Sequence, residues 1–177
     1  YKVWKKTGGS RKEFLIEASK IPGLYVPSLY EVAYHEDGTI ASFEPVEPEV
    51  PRKIKKQVVS DLSHTYYPSK PVVPFIKVTQ DRVVLEIQRG CIRGCRFCQA
   101  GFLYRPFREK SIDVIDAQCQ ALCASTGYDE ISLSSLSTSD YSQLNELLDR
   151  LHTWTEKEKV SVLSLIHISE PTRRRGI

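Results

Sequence analysis

Between Arg82 and Val162 the chain alternates two kinds of pattern, and this alternation limits its fold more than any other feature. "RVVLEIQ" is a short β-branched run, "DEISLSSLS" is a second, and Val160 opens a third. Between them, apolar side chains recur at helical spacing. "SIDVIDAQCQALCASTG" sets Ile112, Ile115, Cys119 and Leu122 three, four and three residues apart, which is one face of a helix. Ser111 suits its N-cap, Asp113 its positive N-terminal end and Gly127 its stop. Leu144, Leu147, Leu148, Leu151 and Trp154 form the stripe of a second helix, preceded by Asp140 and Gln143 as an approximate capping box. Strands alternating with helices of this length build parallel βαβ units. Sites in such folds gather where strands end, at their C-terminal face.

The loop after the first strand carries the chemistry. "RGCIRGCRFCQAGF", Arg89 to Phe102, holds three of the five cysteines, Cys91, Cys95 and Cys98. A disulfide within this window leaves one thiol over. A closed zinc site takes four Cys or His ligands, and His35, His64, His152 and His167 all lie outside the window. Cys119 and Cys123 are the remaining thiols, and on an apolar helical stripe they read as small core residues. Three thiolates can also hold a cubane iron–sulfur cluster with one iron left open. Zinc remains the rival. Gly90 and Gly94 let backbone approach an inorganic core, and Arg89, Arg93 and Arg96 place positive charge around the thiols.

Composition sets the surroundings of this site. Of 177 residues, 41% are hydrophobic and 27% charged, ordinary usage for one domain or one and a half. No apolar run reaches the length of a membrane span and no signal-peptide pattern opens the chain, so no membrane partner is expected. An odd, clustered cysteine set is not a disulfide scaffold, which points to reduced thiols in a cytoplasmic compartment. Methionine is absent, even at position 1, and the chain reads as a piece of a longer protein.

Residues 1–78 form an α+β N-terminal extension by a different pattern. "SRKEFLIEASKIPG" opens with Ser10 and Glu13 at capping-box spacing. "LYEVAYHEDGTIASF" alternates on both sides of Asp37-Gly38, a hairpin signal. The stretch from Glu44 to Phe75 carries six prolines around a short basic helix candidate and reads as a strap. Its run Arg52, Lys53, Lys55 and Lys56 predicts a solvated helical face, with RNA phosphates as the weaker alternative.

"CIRGCRFC" resembles the signature of radical SAM enzymes, with Phe97 in the aromatic position. The wider stretch "LEIQRGCIRGCRFCQAGFLYRPFREKS" resembles a subgroup of uncharacterised radical SAM proteins with an upstream cobalamin-binding-like domain. The resemblance implies an α/β fold, with 79–162 as the opening βαβ units of an incomplete radical SAM barrel. It implies that Cys91, Cys95 and Cys98 hold a 4Fe–4S cluster whose open iron is chelated by S-adenosylmethionine. One electron then cleaves S-adenosylmethionine to methionine and a 5′-deoxyadenosyl radical. Phe97 is expected beside the adenine. A small electron donor such as a flavodoxin or ferredoxin is the implied partner, and cobalamin a candidate cofactor of the full-length parent. One departure stands out. Where many members carry a Gly-Gly-Glu-like stretch for the amino group of S-adenosylmethionine, this chain has "LSSLSTSDY", Leu133 to Tyr141. Ser135 and Ser137 are the candidates to replace it, with loop and capping roles as the alternative. A piece with so few βα units is expected to be inactive alone and to associate through open strand edges. The other readings are a non-enzymatic cysteine module, holding zinc or an electron-transfer cluster, and an RNA-contacting accessory segment.

The tail "LSLIHISEPTR", Leu163 to Arg173, resembles residue for residue the in-frame translation of a transposase adapter used to build sequencing libraries. The expectation is that the biological sequence ends near Val162 and that 163–177 is an adapter-derived artefact. Removing it takes out three arginines and one glutamate, so the formal net charge falls from +3 to +1. His167 then has no functional claim.

Overall fold

The structure is a computed structural model and describes residues 1–164. Most of the tail assigned to adapter, from 165 onward, lies outside the described residues, including the apolar stretch to Ile168 and the run Arg173–Ile177. The chain divides into two compact units, Tyr1–Val58 and a second from Val59 onward. No helix among the described residues is long and apolar enough to cross a membrane.

In the first unit, α1 (Lys2–Lys6) leads into α2 (Arg11–Ser19), whose N-cap Ser10 accepts a hydrogen bond from the Glu13 N–H. The expected hairpin forms from β1 (Tyr30–Tyr34) and β2 (Ile40–Pro45), antiparallel, with Val32 opposite Phe43. Asp37 Oδ1 accepts from the N–H and hydroxyl of Thr39 at 2.9 and 2.7 Å, and Gly38 takes φ +81°. Both are what a tight turn demands. Val26, Leu29, Tyr30 and Val50 make the core, with Leu15, Ile16 and Ile54 against it. The basic helix expected around Arg52 is not there: residues 51–59 run without helix. Short isolated helices are marginal without an apolar face to pack, and in this run only Ile54 reaches the core. Arg52 instead reaches Glu44 at 2.6 Å.

The second unit contains β3 (Val83–Glu86), β4 (Gln88–Arg89), α3 (Ala100–Leu103), β5 (Arg108–Glu109), α4 (Ile112–Thr126), β6 (Glu130–Ser134), α5 (Leu144–Glu158) and β7 (Ser161–Ser164). β3, β6 and β7 form a parallel sheet in that order, with Leu85 opposite Leu133 and Ile131 opposite Val162. This is the mixed α/β, parallel architecture expected. Leu85, Ile87, Ile131 and Leu133 join Ile115, Cys119, Leu122, Leu147 and Leu151 in one core. The helical stripe thus places Cys119 where it was expected, fully buried, and burial pushes its thiol up to about 12. Asp116 on α4 accepts from the Trp154 indole of α5 at 2.8 Å, tying the helices together. Gly127 ends α4 in the left-handed region at φ +74°.

The proline-rich strap contributes to this unit from Val59 onward. Leu62 is buried, Tyr67 donates to the Val84 carbonyl, and Ser63 Oγ accepts from the Ser111 N–H at the start of α4. Ser111 is the N-cap by position, yet its own hydroxyl makes no cap bond. Asp140 and Gln143 form no capping box. Thr138–Asp140 is a 3-10 turn, Gln143 stands at the N-cap without a side-chain bond, and the Asp140 carboxylate is engaged elsewhere.

Candidate functional site

Strand alternation decides which side chains face the site. With Leu85 and Ile87 committed to the core, Glu86 and Gln88 point the other way, as do Ser132 and Ser134 on β6. Where β3 and β6 end, Glu86, Gln88 and Ser134 border a cleft of about 360 Å³, which Arg89, Gly90, Tyr104 and Ser135 also line. The cysteine loop starts at its rim.

The loop is one excursion whose two ends are stitched together. β4 pairs antiparallel with β5 in a separate two-stranded ribbon, Gln88 opposite Glu109 and Arg89 opposite Arg108, so residues 90–107 leave this ribbon and return to it. Gly90 takes φ +90°, and a Cβ there would meet the Tyr104 carbonyl at 2.8 Å and the Pro106 carbonyl at 3.0 Å. Its smallness is needed by the returning leg of its own loop. At Gly94 an added Cβ meets no protein atom within 4 Å.

Cys91, Cys95 and Cys98 are all free thiols, Cys95 exposed and the other two half-buried. The Arg93 N–H donates to Cys91 Sγ at 3.4 Å and the Cys98 N–H to the Cys95 carbonyl at 3.1 Å. Thiolates are the usual ligands of iron–sulfur clusters, and N–H···S bonds tune them, so this donor set suits such a group. Among the described residues, no group of three or more His, Cys, Asp or Glu side chains is gathered closely enough to hold a single metal ion. Cys119 and Cys123 sit in the core and not beside the loop. Phe97 is 92% exposed at the loop tip.

Two of the three arginines expected to surround the thiols, Arg89 and Arg93, are each paired with a carboxylate. Arg89 grips Glu86 through Nε and a terminal nitrogen at 2.8 and 2.6 Å, which holds the Glu86 carboxyl below its ordinary range. Arg93 makes the same two-pronged contact with Asp140, its Nε at 2.7 Å from Oδ2. That hydrogen bond first, and the Asp140 charge next, raise the Arg93 guanidinium above its ordinary value, with Cys91 and Cys95 acting in the same direction.

The segment after β6 is laced to the base of this excursion. Gln88 Nε2 donates to the Ser137 carbonyl at 2.5 Å, the Tyr141 hydroxyl to the Lys110 carbonyl at 2.7 Å, and the Ser142 N–H to Glu109 at 2.6 Å. Ser135 lines the cleft, its Oγ within 2.9 Å of the Thr138 hydroxyl and accepting from the Ser137 N–H. Ser137 is buried and donates to Asp140 at 2.6 Å. The two serines thus occupy different places, one at the cleft wall and one beneath it. Gln88 Oε1 and Ser132 Oγ are buried without a hydrogen-bond partner. Motif reading does not pick out Glu86 and Gln88, and it reads Asp140 as a helix cap. The period-2 pattern of "VVLEIQ" already put Glu86 and Gln88 on one face opposite Leu85 and Ile87, and that signal was available.

Residues 85–164 match the family model of the Radical SAM superfamily. The matched stretch opens in β3, contains the whole cysteine excursion and closes in β7. No curated protein and no solved structure matches the chain.

Proposed function

We propose that this chain is part of a radical SAM enzyme, with residues 79–162 the opening of its barrel and Cys91, Cys95 and Cys98 the ligands of a 4Fe–4S cluster. One observation carries the reading: the family match contains the three-cysteine excursion, and that excursion begins just beyond the C-terminal end of the parallel strand β3, at the rim of the cleft. When bound, the cluster supplies one electron to S-adenosylmethionine, whose cleavage to methionine and a 5′-deoxyadenosyl radical begins hydrogen abstraction from a substrate. This chain's residues have simpler tasks. The three thiols would hold the cluster, which would take the amino and carboxylate groups of S-adenosylmethionine. Ser135 offers a hydroxyl at the cleft wall, Ser137 helps fix the loop behind it, and Phe97 brings backbone to the adenine. The buried, unpartnered Gln88 Oε1 beside the cleft supports a polar ligand nearby, since such an atom costs about 1–3 kcal/mol when left unpaired. The electron comes from a small donor such as a flavodoxin or ferredoxin, in the cytoplasm, and cobalamin is a candidate second cofactor of the full-length parent.

The test is anaerobic reconstitution with iron and sulfide. A brown chain absorbing broadly in the blue, with about four irons bound, is expected for the wild type and for Cys119→Ala and Cys123→Ala. Single serine substitutions at Cys91, Cys95 and Cys98 each abolish it. Stoichiometric zinc with no iron uptake, or loss of iron in Cys119→Ala alone, would falsify the three-ligand reading.

A further inference from the structure

Arg93 lies between the first two cysteines of the excursion, and its partner is 47 residues away in the segment that follows β6. The two ends of this contact differ in character. The Arg93 side chain is 52% exposed, whereas that of Asp140 is 6% exposed, so the carboxylate is the fixed post and the guanidinium reaches down to it. Asp140 is fixed in turn: it ends the 3-10 turn Thr138–Asp140 and accepts from the Ser137 hydroxyl at 2.6 Å. Ser137 gives its carbonyl to the buried Gln88 side chain, two residues before Gly90. A closed circuit results: strand end, Gln88, Ser137, Asp140, Arg93, cysteine loop, and back through Gly90 to the strand. Bidentate guanidinium–carboxylate contact fixes orientation as well as distance. Apart from the Cys98 N–H bond to the Cys95 carbonyl and the Arg93 N–H bond to Cys91, the stretch 91–98 shows little internal bonding.

We infer that Arg93 and Asp140 are positioning residues: their ion pair is a strut that holds the middle of the cysteine loop against the segment carrying Ser135, fixing the two walls that flank the cleft. The inference rests on the proposed cluster role of the cysteines only for its purpose, because the strut itself is a property of the metal-free chain. Lysine at position 93 restores the strut only in part, since it offers a point charge without the planar two-pronged grip. Asparagine at position 140 keeps the shape and loses the charge.

Two readouts on the full chain separate the possibilities. The first is hydrogen exchange of the Arg93 and Cys98 amides, the two bonded inside the loop, in metal-free protein. Arg93→Gln, on an exposed side chain, leaves the fold intact and speeds exchange there by about tenfold or more, while β3 and β6 amides keep wild-type rates. Arg93→Lys recovers part of the protection, and Asp140→Asn reproduces Arg93→Gln. The second is the EPR line shape of the reconstituted, reduced cluster, which broadens or shifts in Arg93→Gln and returns toward wild type in Arg93→Lys. If wild-type chain takes up no iron, the cluster reading fails and the exchange data still decide the strut. If loop exchange and line shape in Arg93→Gln both match wild type, the strut is wrong whatever the cysteines hold.

Discussion

Cys119 and Tyr141 are buried acids that must stay protonated in the folded chain. Burial pushes the Cys119 thiol and the Tyr141 phenol each up to about 12 from ordinary values of 9.0 and 10.0. A group whose folded value is raised contributes stability that is complete below its unfolded value and is lost as pH climbs toward the folded one. Stability of the second unit is therefore expected to hold near neutral pH and to fall from about pH 9 toward pH 12. Each group adds a slope of at most about 1.4 kcal/mol per pH unit. Urea unfolding of Cys119→Ala with Tyr141→Phe, compared with wild type across that interval, isolates the contribution. The double variant starts less stable, because a packed sulfur and a hydroxyl bonded to the Lys110 carbonyl are lost, but its alkaline decline is shallower. An identical decline would assign the slope to other groups.

Within the cysteine excursion the limiting residue is Gly90. An added Cβ would strike two carbonyl oxygens and the Phe107 Cα, all backbone, at 2.8–3.0 Å, and φ +90° is costly for any side chain. Gly90→Ala is expected to cost about 2 kcal/mol or more in thermal unfolding, whereas Gly94→Ala, in open space, stays within about 0.5 kcal/mol. Equal costs at the two positions would remove crowding as the cause. The same contrast shows what was readable before the structure. Period and spacing located β3, α4, β6, α5 and β7, because each buries a stripe that its own sequence spells out. The hairpin at Asp37-Gly38 and the Ser10 cap were readable for the same local reason. The failures share the opposite property. Asp140 looked like a cap, yet its carboxylate is taken by Arg93, and no window around position 140 contains that partner. The basic run at Arg52 looked helical by charge, but a helix needs an apolar face to bury and this run supplies one isoleucine. The three cysteines were legible from spacing, whereas the cleft beside them is assembled from residues that meet only when β3 pairs with β6.

Each compact unit has a core of its own, and no residue belongs to both: Val26, Leu29, Tyr30 and Val50 in one, the larger set around Leu85, Ile131 and Leu147 in the other. The first unit ends at Val58, a length at which a single core is marginal because a small domain buries a smaller share of its chain. Its hairpin gives that core only Tyr30, since Tyr34 and Ile40 remain more than 60% exposed, and a lone two-stranded hairpin is barely stable in water. The second unit has a parallel sheet, two helices of 15 residues each and many fully buried aliphatic side chains. Cooperativity follows cores, so calorimetry is expected to resolve two transitions, the lower one belonging to Tyr1–Val58. Leu29→Ala removes a buried side chain from the smaller core, and Leu147→Ala does so in the larger. Either truncation costs about 2–5 kcal/mol where it falls. For Leu29→Ala that is enough to abolish the lower transition while the upper midpoint stays in place. Leu147→Ala lowers the upper midpoint and leaves the lower one alone. Circular dichroism separates the two, because the second unit carries most of the helix. One transition that both substitutions shift equally would mean that the two cores melt as one, and that the division at Val58 has no energetic counterpart.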